Sequence, residues 1–526
     1  MTRRLWKAHT RSGPAGPSCP GPAREALPGV SVVVNIRGEY VSAQEPMRSH
    51  VPTGTSANPS RRYRLFAGLA ALSILAAACS GGGTGTTAPG SQPAPSVPGS
   101  AAAPSAAEPS APASGDASTP PDGSPSTGGV DAPASAVTID FWTPFTGADG
   151  DTMEELVGQF NGEAENTTVN IQRLDEYYTQ INNAAAANGL PHVMIMHIDA
   201  LALQAANDTV QPVTELSSQL GLAAEDFTEA VWEGSMWQGE QYSIPLDIHP
   251  ATLYYNKDLL EQAGLDPESP PTDGESFEAA LQACNDAGFT GPTWSNHFFS
   301  ASLLWASLFY QGGGEWTNED YSQATFNSQA GVDATEYMVR LVEEGLHPQD
   351  AAADTEVSSF ESGQSCMAIT GIWQTNRFQD ALGDDFGAAP IPQVFGEGVW
   401  AGSHTLAIRN GLEGDELQGA YYFIDWLTNH TLDWAAGGQI PARVDVREDP
   451  AFAELEDIPA IAEQVDAARF PPPIPGSADL LGGPGGVTEK LLEALTGGGA
   501  DVQAALDEAA ATYTQILADS KSQYGF

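Results

Sequence analysis

Flat aromatic rings set among short polar side chains are the chemistry this chain offers most plainly, and their placement suits holding a ligand. Among 11 tryptophans, Trp142 ends an alternating strand, Trp294 lies in an irregular run, Trp373 follows a strand and a glycine, and Trp400 lies close to Gly402. Trp305, Trp426 and Trp434 have helical spacing with Leu and Phe neighbours, which reads as core. Polar groups recur beside the first set. Asp199 ends a buried strand, Asp247 and His249 share one face of an extended run, and His404 follows Gly402 and Ser403, whose amides suit a hydroxyl. Arg443, one of few cations, comes shortly after Pro441. Rings stack on apolar faces while carboxylates and imidazoles hydrogen-bond a polar rim, so this set suits a ligand that has both. Plainer roles stand beside these: a buried strand tryptophan for Trp142, a helix N-cap for Asp199, and a surface ion pair for Arg443.

Reactive signatures do not compete. The run Gly485–Lys490 lacks the Gly-Lys-Ser/Thr ending of a phosphate loop, and no Gly-x-Ser-x-Gly turn occurs. His192 and His197 have no evident third ligand, so neither a metal nor a cofactor is expected.

The frame that would position these side chains is α/β. Residues 137–142 alternate as a strand, a turn over 146–150 leads to a helix with Met153, Leu156, Val157 and Phe160, and 169–171 forms a second strand. A helix over 177–187 and a buried strand over 193–198 complete a β-α-β-α-β order. The stretch Tyr242–Asp266, YSIPLDIHPATLYYNKDLLEQAGLD, crosses from one apolar block to another through Asp247 and His249. It reads as a hinge strand lining a cleft or as an edge strand broken by Pro245. A helix capped by Asn256 and stopped by Gly264 follows, with Leu259, Leu260 and Ala263 on one face. Beyond it, helices are expected over 276–287, 300–310, 329–344 and 416–427, a strand near 366–370, and an extended run over 399–408.

The hinge-and-helix stretch resembles the extracellular solute-binding proteins of sugar ABC importers, the family of maltose-binding protein and its multiple-sugar relatives. Phe360–Trp373 is similar to the family's F-x-x-G-x-x-A-M-x-x-x-G-x-W run, with Cys366 in place of the alanine. Trp400–His404 and Gly438–Arg443 resemble blocks of its multiple-sugar branch. The likeness runs from about Val137 to the C-terminus. It implies a two-lobed, periplasmic-binding-protein-like (type II) α/β fold with three interlobe crossings and a ligand cleft. One lobe would hold 137–247 and 394–440, the other 248–393 and 441–526. Trp373 matches the family's stacking tryptophan, Asp199 a sugar-binding carboxylate, and His249 a hinge contact. The implied function is capture of a sugar, in particular an oligosaccharide, for an ABC permease by a monomer that catalyses nothing. A glycerol phosphodiester or polyol is the nearer alternative. A secreted glycoside hydrolase, which needs a spaced carboxylate pair, is the rival of another class.

Composition fits an extracytoplasmic address. The 526 residues are too many for one core. Residues 1–60 read as a poorly structured leader, with translation starting near Met47 or Val51. Residues 61–78 resemble a lipoprotein signal: Arg61, Arg62 and Arg64, an apolar run from Leu65 to Leu75, then Ala76-Ala77-Ala78 before Cys79. That run is shorter than the ~20 residues of a membrane-spanning helix. Lipidation of Cys79 would anchor the chain to the outer face of the cell membrane, and 79–136, rich in Gly, Ala, Pro and Ser, would be a disordered tether. Residues 1–78 hold 10 of the 20 Lys and Arg but 3 of the 68 Asp and Glu, which leaves 10 basic against 65 acidic residues, net −55. Such a surface repels nucleic acid. Cys284 and Cys366 remain, as a disulfide or as two buried thiols.

Overall fold

Alternating apolar residues build β1 (Val137–Thr143), which pairs in parallel along its whole length with β2 (Thr167–Arg173) and at its end with β3 (Val193–His197). The computed structural model describes residues 129–526 apart from 146, 297, 483–486 and 498–500. The leader, the signal segment, Cys79 and most of the tether lie outside the described residues. Parallel neighbours need crossovers, supplied by α1 (Ala148–Glu163) and α2 (Tyr177–Ala187). The α1 helix buries Met153, Leu156, Val157 and Phe160, as their spacing predicts. Along β3, Val193 and Ile195 enter one core with Phe141, Phe160 and Trp434, while Met194 and Met196 enter another with Tyr177, Ile181 and Trp237. A strand buried on both faces reads as a continuous apolar run.

This first sheet has five strands. Strand His404–Ile408 lies antiparallel to β3, and Ser243–Pro245 follows it at the edge. The second sheet is built on the hinge strand Asp247–Asn256, all of whose residues are buried. It pairs with Met367–Gly371, Phe386–Ala389, Val399–Gly402 and Ile440–Pro441. The helix Phe298–Gln311 packs on that sheet, and Gly274–Ala287, Gln329–Glu343 and Val502–Tyr524 add their apolar faces to the same core, the largest. Asn256 caps the following helix, its Oδ1 accepting the Leu259 N–H at 3.0 Å, and Gly264 stops it at φ +82°.

The chain crosses between the sheets three times, at Leu246, at Ser403 and just before Ile440. Two expectations are corrected. The extended run over 399–408 is two strands, and Val399–Gly402 belongs to the second sheet, so the crossing falls at Ser403 and not near 394. An uninterrupted apolar run carries no mark of which sheet each half joins. Asp199 does not end a strand; β3 stops at His197 and Asp199 stands in the first turn of α3 (Ile198–Ala206).

Cys284 and Cys366 are joined as a disulfide, with Cα atoms 6.3 Å apart. No helix among the described residues is long and apolar enough to cross a membrane.

Candidate functional site

The three crossings bring the polar residues of the hinge into one cluster. Asp247, with no exposed surface, is its hub. Its carboxylate accepts the Trp434 Nε1–H at 2.9 Å and the His404 backbone N–H at 3.0 Å. The Nδ1 atoms of His404 and His249 lie 2.8 and 3.1 Å from it. Burial by itself would raise this carboxyl, but the two imidazoles and their hydrogen bonds outweigh it and hold Asp247 well below the usual carboxylate range. Burial pushes the His249 imidazole down to about 4, with His404 adding to the effect and Asp247 opposing it.

Around the hub the rings converge. His249 lies 4.2 Å from His404, 6.0 Å from Trp373 and 6.1 Å from Trp400, centroid to centroid. His197, at the end of β3, is the cross-strand partner of His404, with ring centroids 4.8 Å apart. Phe145 meets His404 edge-on at 4.7 Å. Two glycines make room. A Cβ at Gly402 would fall 2.1 Å from His249 Nε2, and one at Gly371 would fall 1.8 Å from the Trp373 ring. Trp400 is buried, and its Nε1 has no hydrogen-bond partner among the described residues. Ser403 spends its carbonyl on the Ile198 N–H at 3.0 Å.

Beside this cluster a cleft of about 600 Å³ opens between the lobes. Ile198, Thr228, Glu229 and Glu233 wall it from the first lobe, Asp466 and Arg469 from the second. Asp199 stands next to Ile198, and burial raises its carboxyl to about 6 against the pull of backbone N–H groups.

Not every expected residue joins. Trp294 is fully buried in the largest core, stacked on His347 at 3.6 Å. Trp142 is partly buried and packs on the first lobe's second core, its carbonyl accepting the Tyr177 hydroxyl at 2.9 Å. Arg443 is engaged at the third crossing by Asp445 at 2.9 Å and the Thr428 carbonyl at 3.3 Å. The pattern assigned Trp434 to the core, which is correct, yet its indole N–H also fixes Asp247. Tyr178, whose hydroxyl lies 2.8 Å from His197 Nδ1, carried no signal beyond its place at a helix start. His197, for which the sequence offered no third ligand, stands close to His249 and His404, both far off in sequence, with one ring nitrogen of each within 4.8 Å of the others.

Two lobes, three crossings and a cleft between them define the type II periplasmic-binding-protein class. Residues 155–460 match the sequence model of the bacterial extracellular solute-binding proteins, and the chain belongs to that family. The arabinooligosaccharide-binding protein of Halalkalibacterium halodurans is 24% identical, over 61% of this chain and 75% of its own length. The sn-glycerol-3-phosphate-binding periplasmic protein UgpB of Shigella dysenteriae is 22% identical, over 73% and 93%. Among solved structures, the GacH receptor of Streptomyces glaucescens, studied unliganded and with acarbose, superposes with a TM-score of 0.66 at 22% identity, over 73% of this chain and 100% of that one.

Proposed function

We propose that this solute-binding protein captures a sugar, in particular an oligosaccharide, between its lobes and delivers it to an ABC permease, itself catalysing nothing. The observation that carries this reading is the meeting of Trp373 and Trp400 with His249 and His404 at the interlobe crossings. Flat rings beside hydrogen-bond donors and acceptors are what a sugar's faces and hydroxyls require. The buried Trp400 Nε1–H, unpartnered among the described residues, gains an acceptor when a hydroxyl arrives, and such a group is costly to leave unmet. Asp199, Gly402 and Ser403 complete the proposed contact set. The arabinooligosaccharide-binding relative agrees with this class of ligand.

The glycerol phosphate named for the second relative favours an anionic solute, but the cleft does not suit one. Glu229, Glu233 and Asp466 line it against one cation, Arg469. Contact of the ligand with both lobes would stabilise the closed form, and Cys79 would keep the chain at the membrane through its lipid.

A thermal-shift screen of the protein against mono-, di- and oligosaccharides, with glycerophosphodiesters included, tests the reading. One sugar class should raise Tm in proportion to RT ln(1 + [L]/Kd), and Trp373→Ala should abolish that shift while circular dichroism stays native. A shift only with the phosphodiesters sinks the sugar assignment. Release of product from a labelled oligosaccharide sinks the non-catalytic one.

A further inference from the structure

We propose that His197, His249 and His404 form a binding site for a single divalent transition-metal ion of the zinc class at the junction of the two lobes. The ligating atoms of these imidazoles lie within 4.8 Å of one another. Strands, not loops, hold all of them. His197 and His404 are directly opposed on neighbouring antiparallel strands, and His249 opposes Gly402, two residues before His404. Side chains so mounted keep their geometry better than side chains on loops.

The surroundings orient the rings as metal sites do. Asp247 engages Nδ1 of both His249 and His404, at 3.1 and 2.8 Å, and so leaves their Nε2 lone pairs for a cation. This is the carboxylate–histidine–metal arrangement, in which the outer carboxylate fixes tautomer and ring angle. The Tyr178 hydroxyl lies 2.8 Å from Nδ1 of His197 and accepts that residue's backbone N–H at 2.9 Å, which fixes the third ring. Trp434 and the His404 amide in turn fix Asp247.

Three imidazoles are a donor set for zinc, copper, nickel or cobalt and a poor one for magnesium or calcium. Zinc binds nitrogen at about 2.0–2.1 Å, which puts tetrahedral ligand atoms roughly 3.4 Å apart. The cluster therefore needs small ring rotations to close on an ion. The fourth position stays open for water or for a hydroxyl oxygen of a captured solute. A packed sugar contact explains an imidazole at a cleft; it does not explain three that converge, two of them on a shared carboxylate and the third on a tyrosine hydroxyl.

The test is a titration of the chelator-stripped full chain with cobalt(II), with no sugar present, so that the identity of the solute does not enter. The expected result is one equivalent bound with the intense visible band of a four-coordinate ion, displaced by one equivalent of zinc(II). In His197→Ala, folded by circular dichroism, the band should be lost. Tyr178→Phe and Asp247→Asn should each weaken cobalt(II) binding by about 10–100-fold. The acidic surface provides the opposing outcome. Weak binding of several equivalents with a faint band, unchanged in His197→Ala, would assign the ion to surface carboxylates and overturn the proposal. Absence of any band overturns it equally.

Discussion

At the scale of single residues, space and proton affinity decide most. Gly402 is required because a Cβ would strike His249 Nε2. Gly402→Ala should push that ring off Asp247, lower stability by about 1–3 kcal/mol as overpacking does, and weaken solute capture; denaturant melts and calorimetric titration would read both. Unchanged affinity would mean the His249 position is immaterial to binding. His347 presents a different residue-scale test, remote from the cleft. Burial holds its imidazole down to about 3, whereas an unfolded histidine titrates near 6.5. Between those values the unfolded chain binds the proton and the folded chain does not, so stability falls as pH drops from about 6.5 towards 3. The slope should be about 1.4 kcal/mol per pH unit. His347→Phe keeps a ring against Trp294 and should flatten that acid limb in urea unfolding measured between about pH 4 and 7.

At the scale of elements, the disulfide ties the helix Gly274–Ala287 to the residue preceding the strand Met367–Gly371, across 82 residues of chain. Closing a loop of that length restricts the unfolded ensemble, and reduction should cost about 2–4 kcal/mol. A guanidinium midpoint that does not move with reductant, or in a Cys284→Ser/Cys366→Ser variant, would show that the second lobe does not depend on the bridge. Elements also set what was legible. The α1 helix, its core positions and the Asn256 cap depend on neighbours within a turn or two, and they stand where the spacing put them. The end of β3 does not. His197 stays extended because His404 pairs with it from across the chain, and Asp199 turns into α3 immediately after.

At the scale of the molecule, the lobes also touch away from the hinge. Phe526 lies 6.0 Å from Trp237 of the first lobe and 6.2 Å from Tyr321 of the second. The Tyr524 hydroxyl donates to Asn207 Oδ1 at 3.2 Å. One hydrogen bond and an aromatic contact amount to roughly 1–2 kcal/mol, all of it favouring the arrangement in which the lobes meet. Deleting residues 524–526 should shift the unliganded protein towards an open form, seen as a larger radius of gyration in solution scattering. It should also weaken capture by about tenfold, the equivalent of 1.4 kcal/mol. An unaltered radius with unaltered affinity would deny the tail any part in closure.

The sequence by itself determined what depends on local spacing and on composition: an α/β chain, a strongly acidic composition, and a buried strand leading into a capped helix. Periodicity and capping are short-range, so they can be read along the chain. Tertiary structure alone decided which aromatic rings meet. Trp294 and Trp373 each follow apolar or glycine-rich sequence, yet one stacks inside a core and the other reaches His249. Asp247 and Trp434 are 187 residues apart and hydrogen-bonded. The histidine cluster exists only because strands distant in the chain pair at the crossing of the lobes. Strand pairing is a long-range choice among apolar runs that look alike, and nothing local distinguishes the partner that is taken.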